Sequence, residues 1–277
     1  MARIGDRLGI AERDELRRVA HLLADATRAV TLRHFRHPLV AEDKGPAGAG
    51  GGRFDPVTVA DRESEAAMRA ILARERPGDA VLGEEYGASA GESGLTWVLD
   101  PIDGTRGFIC GTPCWGVLVA LADAQGPLFG IIEQPYIRER FEGGFGRARV
   151  AGPSGEAALR VRDGQRLAGA VLLTTFPEIG TGPERDAFGA VAGKAALVRY
   201  GLDCYGYALL AAGQVDLVIE AGLHPYDVHA PIAVIEAAGG VVSDWQGRPA
   251  HGGGRILAAA SRALHDEALA LLRGCPD

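Results

Sequence analysis

The chain has 277 residues, of which 47% are apolar, and it carries a formal net charge of −7 at pH 7. This length can bury a sizeable core, as one large domain or two smaller ones. The acidic balance argues against a nucleic-acid partner, because such proteins usually present a basic surface. Charges interrupt the apolar stretches well short of the roughly 20 residues that span a bilayer, and the N-terminus lacks a signal-peptide core. We therefore expect no membrane partner and a cytoplasmic location.

Two amphipathic helices are predicted near the N-terminus. Residues 12–35 place apolar side chains on one stripe, at the spacing of an α-helix. A second helix is expected to begin at Thr58, because Thr58-x-x-Asp61 has the spacing of a capping motif, and to stop at Pro77. Between the two helices, residues 44–55 are rich in glycine, and a flexible loop is predicted there.

Acidic residues follow two short apolar strands in the first half of the chain. One strand leads into Glu84, and the next leads into Asp100 and Asp103. Pro101 removes a backbone donor and is expected to stop its strand, while Gly104 lets the backbone approach a ligand closely. Carboxylate and carbonyl oxygens are the ligands that Mg²⁺ prefers, so the pattern indicates a magnesium site. The alternative is that Asp-Pro and Asp-Gly are ordinary turn formers.

The remaining elements are predicted from the apolar pattern. Residues 115–122 and 128–132 are expected to form a hairpin, with a further strand at 141–145, so the first half is helices plus a largely antiparallel sheet. From about residue 167 strands and helices alternate, which is typical of an α/β arrangement. The expected strands are 171–175, 196–199, 217–220, 241–243 and 256–259, and the expected helices are 184–191, 205–212, 228–238 and a last one ending at 272.

The polar segment 147–165 is the weakest stretch of the apolar pattern, so the chain is divided into an N-terminal half, 1–150, and a C-terminal half, 151–277. Most candidate ligands lie in the first half. Asp227, at the predicted start of the helix 228–238, lies in the second, although Asp is also a common residue at helix N-termini for structural reasons. Cys110 and Cys114 lie close to the acidic motif, and either an inert pair or a regulatory disulfide fits their spacing.

Four ordered motifs together resemble the inositol monophosphatase-like superfamily of magnesium-dependent phosphomonoesterases. The motifs are 55–61, 83–85, 100–105 and 225–227, the last followed by 237–240. Within that superfamily, the segments 100–109, 203–207 and 220–223 are most similar to the histidinol-phosphate phosphatase branch. The chain departs from that branch at Gly107, Leu202 and His224, where the branch more often has Ser, Gly and Lys.

The resemblance implies a layered αβαβα sandwich, usually a homodimer, with the site in the cleft between the two halves. Glu84, Asp100 and the backbone carbonyl of Ile102 would bind a first Mg²⁺. Asp100, Asp103 and Asp227 would bind a second, and Glu84 would help to hold a weaker third ion. Mn²⁺ could replace Mg²⁺.

The catalytic residues implied by the resemblance are Glu84, Thr105 and Asp61, with Thr105 and Asp61 orienting the attacking water. Backbone N–H groups at Gly104 and Thr105 would cradle the phosphate if a helix begins there. Lys44 resembles the loop lysine that the family places near the ligands. The expected reaction is metal-assisted hydrolysis without a covalent intermediate.

The expected substrate is a small phosphate monoester, L-histidinol phosphate, cleaved to L-histidinol and phosphate in histidine biosynthesis. Arg106, Asp203 and Glu220 are the candidates that would contact its alcohol part, because acidic side chains pair with an ammonium or imidazolium group. Asp203 could instead be a helix N-cap, and Arg106 a surface ion pair. The alternatives for function are an inositol-1-phosphate or broad sugar-phosphate phosphatase, and a binding protein associated with RNA polymerase or the ribosome.

Overall fold

The structure, a computed structural model, describes residues 4–43 and 56–276. Lys44 and the predicted glycine-rich loop at 44–55 lie outside the described residues. No helix in the described residues is long and apolar enough to cross a membrane. In chain order the helices are α1 (Ile4–Arg7), α2 (Ile10–His34), α3 (Val59–Glu75), α4 (Thr105–Ile109), α5 (Gly182–Ala192), α6 (Asp203–Ala211), α7 (Pro225–Ala237) and α8 (Arg262–Leu272).

The strands form a two-stranded ribbon, a large sheet and a small sheet. The ribbon consists of β1 (Glu42–Asp43) and β2 (Pro56–Val57). The large sheet contains β3 (Ala80–Gly83), β4 (Gly87–Ser89), β5 (Thr96–Asp103), β6 (Gly116–Asp123), β7 (Gly126–Gln134), β8 (Glu139–Gly144), β9 (Arg147–Gly152) and β10 (Gly155–Ala158). The small sheet contains β11 (Val171–Thr174), β12 (Leu197–Tyr200), β13 (Leu217–Leu223), β14 (Val241–Ser243) and β15 (Gly254–Ala259).

Both sheets are mixed. The large sheet has the order β10-β9-β8-β7-β6-β5-β3-β4, and its pairs are antiparallel except for the parallel pair of β3 with β5. The small sheet has the order β12-β11-β13-β15-β14, in which β11 runs parallel to both of its neighbours. The predictions of a largely antiparallel first sheet and of an α/β second part are confirmed.

The elements stack in five layers. Helices α2 and α3 cover one face of the large sheet, α6 and α7 lie between the two sheets, and α5 and α8 cover the outer face of the small sheet. This arrangement is the αβαβα sandwich that the resemblance implied. Strand β6 shows why the sequence folds in this way: Val117, Val119 and Leu121 pack toward α2 and α3, while Leu118 and Ala120 pack toward the middle layer. Because both faces are covered, the strand is apolar throughout rather than alternating.

Helix α7 lies unusually close to the large sheet, at two glycines. A Cβ on Gly143 of β8 would lie 2.4 Å from the Cα of Val234, and one on Gly130 of β7 would lie 2.8 Å from the Cα of Ala230. Only glycine allows this approach, because any side chain would collide with the helix backbone. The contact fixes α7 against the sheet, and α7 carries Asp227 in its first turn.

The region after Leu99 differs from the expectation that Pro101 stops its strand. β5 continues to Asp103, and its pairing with β6 shifts register between Asp100 and Asp103. Proline is tolerated at such an irregularity, because a bulged residue need not donate to the ladder. The bulge aims both aspartates toward the same end of the sheet.

The polar segment 147–165 also proved more regular than its composition suggested. It contains β9 and β10, so the large sheet extends past residue 150 to Ala158. β10 is exposed along its length, which explains why no apolar pattern marked it. The division of the chain into two halves stays a prediction.

Candidate active site

Three aspartates from separate parts of the chain converge at one end of the large sheet. Asp100, Asp103 and Asp227 each place a carboxylate oxygen within 4.8 Å of the other two. The first two come from the bulge of β5 and the third from the first turn of α7. Glu84, directly after β3, joins them through a side-chain hydrogen bond with Asp100. The predicted acidic ligands are therefore brought together.

The turn that follows β5 is held by local hydrogen bonds. The backbone N–H of Ile102 donates to Oδ1 of Asp100 at 3.0 Å, and the hydroxyl of Thr105 donates to the carbonyl of Ile102 at 3.1 Å. Gly104 has a φ of 82°, a left-handed conformation that glycine adopts without strain. Helix α4 begins at Thr105, which meets the condition set for the phosphate-binding prediction, and its first N–H groups have no intrahelical partner.

A buried glutamate that sequence reasoning missed holds the loop carrying Glu84. Glu65 of α3 is fully buried, and it accepts hydrogen bonds from the backbone N–H groups of Glu85 (2.7 Å) and Tyr86 (3.2 Å). A Cβ on Gly83 would lie 2.0 Å from Oε1 of Glu65, so glycine makes room for this carboxylate. Glu65 also forms an i, i+4 ion pair with Arg69 on α3, and because this spacing is equally typical of exposed helix surfaces, it does not reveal the buried role.

Helix N-termini of the middle layer orient two of the aspartates. The backbone N–H of Cys204, in the first turn of α6, donates to Oδ2 of Asp103 at 2.6 Å. The backbone N–H of His224, the residue before α7, donates to Oδ2 of Asp227 at 2.7 Å. Asp103 thus joins the large sheet directly to the middle layer, and its position depends on both.

Crowding of these carboxyl groups raises their pKa values. Burial, reinforced by Glu84, Asp103 and Asp227, raises the pKa of Asp100 well above its usual range. Burial and the neighbouring Asp227 raise the pKa of Asp103 to about 7. A divalent cation would relieve this repulsion, and carboxylate and carbonyl oxygens are the donors that hard cations prefer. The cluster therefore fits Mg²⁺ or Mn²⁺.

Asp61 and Thr105, the predicted water-orienting pair, share no hydrogen bond in the described part of the chain. Oδ2 of Asp61 accepts from the N–H (2.8 Å) and the hydroxyl (2.5 Å) of Thr58, which completes the predicted capping motif of α3. Oδ1 of Asp61 is buried and has no partner among residues 4–43 and 56–276. Burial, with a smaller contribution from Glu84, raises the pKa of Asp61 to about 7. One oxygen is left to accept a hydrogen bond from a ligand or water.

Asp203 lies beside the turn at Gly104 rather than capping a helix. The N-cap of α6 is Leu202, so the alternative interpretation of Asp203 as an N-cap is wrong. Asp203 adopts a left-handed φ of 45°, and its Cγ would lie 2.9 Å from a Cβ on Gly104. Burial and Asp103 raise the pKa of Asp203 to about 7, while Arg106 opposes this. Within the described residues, the Asp203 carboxylate accepts no hydrogen bond.

Glu220 is held more firmly than Asp203. It is buried, and it accepts hydrogen bonds from the hydroxyl of Thr174 (3.0 Å) and from the N–H (2.6 Å) and hydroxyl (2.8 Å) of Thr175. Burial nevertheless raises its pKa to about 7. Arg106 is exposed, with its guanidinium carbon 5.0 Å from the ring centre of Phe176. The aromatic residue follows β11, and nothing in the sequence indicated that it would meet Arg106.

Residues 12–277 match the model of the inositol monophosphatase family. The chain belongs to this family. It is 41% identical to the chloroplastic bifunctional phosphatase IMPL2 of Arabidopsis thaliana, over 87% of this chain and 67% of that protein. It is 36% identical to a histidinol-phosphatase of Mycobacterium tuberculosis, over 78% and 84% respectively. A solved inositol monophosphatase of Zymomonas mobilis superposes with a TM-score of 0.81 at 36% identity, covering 96% of this chain and all of that one.

Proposed function

We propose that this phosphatase-family chain is a Mg²⁺-dependent phosphomonoesterase that converts L-histidinol phosphate and water to L-histidinol and phosphate. The observation that carries the choice of substrate is Asp203, a half-buried carboxylate that lies beside the acidic cluster and accepts no hydrogen bond from the described residues. Burial and Asp103 disfavour the charged form of Asp203, and because Arg106 offsets this only in part, a cationic group of the substrate would stabilise it further. Histidinol phosphate offers an ammonium and an imidazole, and the similarity to a histidinol-phosphatase supports the choice.

The acidic cluster would hold the metal ions. Glu84, Asp100 and the carbonyl of Ile102 would bind one ion, Asp100 would be shared, and Asp103 and Asp227 would complete the second site. When bound, Mg²⁺ supplies positive charge to the phosphate oxygens and lowers the pKa of a water molecule. A third, weaker ion at Glu84 and replacement by Mn²⁺ are part of the same proposal.

The chain's own groups position the other reactants. The N–H groups at the start of α4, at Gly104 and Thr105, bind phosphate oxygens. The open Oδ1 of Asp61 and the hydroxyl of Thr105 orient the attacking water, once Thr105 turns from the carbonyl of Ile102. Lys44, which lies outside the described residues, stays a predicted ligand contact.

The leaving group would lie on the side of Asp203, which pairs with its cationic part. Glu220, fixed by three hydrogen bonds, provides a second acidic contact. Arg106 and Phe176 form the exposed edge of this side. A homodimer and a cytoplasmic location stay predictions.

A neutral leaving group such as inositol is the second candidate. Glu220 supports it, because a fixed carboxylate accepts hydrogen bonds from hydroxyl groups as readily as from a cation. A role only as a binding protein for RNA polymerase or the ribosome is disfavoured, since such a role gives no reason to retain mutually repelling carboxylates.

The test compares phosphate release from L-histidinol phosphate, inositol 1-phosphate and fructose 1,6-bisphosphate, with Mg²⁺ and with a chelator. Asp203→Asn should raise KM for histidinol phosphate by about tenfold or more through loss of a charged contact, and leave inositol 1-phosphate unchanged. The matched control is Asp186→Asn, which removes an exposed acid on α5 and should alter neither. If the wild type has a higher kcat/KM for inositol 1-phosphate than for L-histidinol phosphate, the proposed substrate is wrong. Absence of release from all three esters refutes the phosphatase function.

A further inference from the structure

Glu65, on helix α3, is a fully buried carboxylate that lies outside the acidic cluster. Its Oε2 accepts the backbone N–H of Glu85 at 2.7 Å, and its Oε1 accepts the backbone N–H of Tyr86 at 3.2 Å and Nε–H of Arg69 at 2.7 Å. Burying a carboxylate is costly unless donors satisfy its oxygen atoms. Two of the three donors belong to the chain directly after Glu84, so the buried charge acts on that part of the backbone.

Arg69 extends the contact along the turn between β3 and β4. It lies one helical turn after Glu65, and its Nη2 donates to the carbonyl of Gly87. Its guanidinium carbon also lies 6.0 Å from the ring centre of Tyr86. Glu65 and Arg69, which we call the α3 clamp, therefore hold three consecutive residues of the turn, two by their N–H groups and one by its carbonyl.

The clamp contacts both chain neighbours of Glu84. A Cβ on Gly83 would lie 2.0 Å from Oε1 of Glu65, so this carboxylate lies directly against the residue before Glu84, and it bonds the residue after it. The N–H of Glu84 itself donates to the carbonyl of Leu99 on β5 at 3.2 Å. The backbone of Glu84 is thus fixed between α3 and the strand that carries Asp100.

Two other acidic residues of the site accept hydrogen bonds from different elements. Asp103 accepts the N–H of Cys204 on α6, and Asp227 accepts the N–H of His224, the residue before α7. By these contacts, α3 holds one of the proposed metal ligands and the middle layer holds two.

We propose that the α3 clamp sets the affinity of the metal ion that Glu84 binds, because it holds Glu84 in position before the ion arrives. This inference rests on the proposed assignment of the metal ligands. A ligand that is already in place loses less conformational freedom on binding, and the groups that orient a ligating side chain commonly contribute a factor of about ten to a hundred to metal affinity. Glu65 is a positioning residue, and the ion at Asp103 and Asp227 should not depend on it.

Glu65→Gln tests the clamp with the smallest change in shape. One of the two oxygen atoms becomes an NH₂ group, which cannot accept a hydrogen bond, so at least one contact of the clamp is lost. Calorimetric titration of the metal-free wild type with Mn²⁺ should show at least two classes of ion. In Glu65→Gln, one class should bind about tenfold to a hundredfold more weakly, and another should stay within about threefold of the wild type.

Glu184→Gln is the matched control. Glu184, on α5, is likewise a buried carboxylate that accepts a backbone N–H, from Thr181 at 2.6 Å, and an arginine Nε–H, from Arg255 at 2.7 Å. It also lies against a glycine, since a Cβ on Gly180 would lie 2.2 Å from its Oε2. The control should lower Tm, as Glu65→Gln should, but leave the affinity of every class of Mn²⁺ unchanged.

Arg69→Lys is a milder second variant, because it keeps a positive charge beside Glu65. It should weaken the same class of ion as Glu65→Gln, but by a smaller factor. In both variants, kcat should approach that of the wild type once Mg²⁺ is saturating, and the Mg²⁺ concentration that gives half the maximal rate should rise instead.

Three results would overturn the role of the clamp while the phosphatase function stands: unchanged binding in Glu65→Gln, equal weakening of all classes of ion, or the same effect in Glu184→Gln. A wild type with a single class of ion would overturn it as well. A wild type that binds two classes of Mn²⁺ but releases no phosphate refutes the phosphatase function alone, because the titrations still decide the role of the clamp.

Discussion

Asp103→Asn is expected to stabilise the metal-free protein, although it removes a proposed metal ligand. The pKa of Asp103 rises from 3.8 to about 7 in the folded state because of burial and of Asp227. At about 1.36 kcal/mol per pKa unit, the charged form destabilises the fold by up to about 4 kcal/mol. Asp103 is only half-buried, so solvent screening lowers the figure, and we expect about 1 to 3 kcal/mol. The amide oxygen of asparagine can still accept the N–H of Cys204.

The effect has a defined pH window. The folded state holds the Asp103 proton more tightly than the unfolded chain, so the stability of the wild type falls as pH rises from about 4 to about 7 and then levels off. The amide that replaces this carboxyl group in the variant cannot ionise. The difference between the two proteins should therefore be greatest above about pH 7 and vanish near about pH 4.

Thermal unfolding with a chelator and with Mg²⁺ tests both parts of this prediction. A gain of about 1 kcal/mol in the free energy of unfolding corresponds to a rise in Tm of about 2 to 4 °C for a chain of this size. Mg²⁺ should raise the Tm of the wild type by mass action and raise that of Asp103→Asn much less. The reasoning is refuted if the metal-free variant is less stable than the wild type at about pH 8, or if Mg²⁺ stabilises both proteins equally.

Four further substitutions test packing and the proposed water-orienting residue. Gly143→Ala forces a Cβ to within 2.4 Å of the Val234 backbone, so the free energy of unfolding should fall by about 1 to 3 kcal/mol. The control Gly189→Ala places its Cβ in open space on α5 and should raise the free energy of unfolding by about 0.5 to 1 kcal/mol. Chemical denaturation measures both changes. Glu133→Gln leaves two arginines without their fully buried carboxylate and should cost about 3 kcal/mol in the same assay, and a loss below about 0.5 kcal/mol would contradict the buried ion pair. Asp61→Asn keeps an acceptor for the helix cap and removes a buried carboxyl group with a raised pKa, so kcat should fall by about a hundredfold or more in steady-state assays while Tm does not fall; a loss of both would indicate only the cap.

Residues whose role depends on local pattern were predictable from the sequence. The capping motif at Thr58 and Asp61 and the apolar hairpin of β6 and β7 follow from spacing alone, and the structure confirms them. The acidic cluster was predictable in part, because Asp100 and Asp103 lie beside each other at a strand end. That Asp227 joins them followed from the family resemblance rather than from the pattern.

Contacts between distant elements, and strands without an apolar face, could not be predicted from the sequence. β9 and β10 continue the large sheet with side chains that are half-buried or exposed, so no alternation marks them. Glu65 reaches the loop of Glu84 across the gap between α3 and β3, and an i, i+4 pattern cannot show such a contact. Within the described residues the buried hydroxyl of Tyr207 has no partner, whereas that of Tyr205 on the same helix is bonded, and this difference too arises only in the assembled middle layer.

The close packing of α7 on the large sheet would make the proposed active site a reporter of complete folding. A chain in which the large sheet has formed but α7 has not yet docked would contain Asp100 and Asp103 without Asp227. Such a chain would also lack the amide donor that fixes Asp103, because that donor belongs to α6 in the same layer. Partly folded molecules would then be catalytically silent, and immature protein would not release phosphate indiscriminately from cellular esters. During refolding, the recovery of activity should accordingly follow the docking of the middle layer and lag behind the formation of the large sheet.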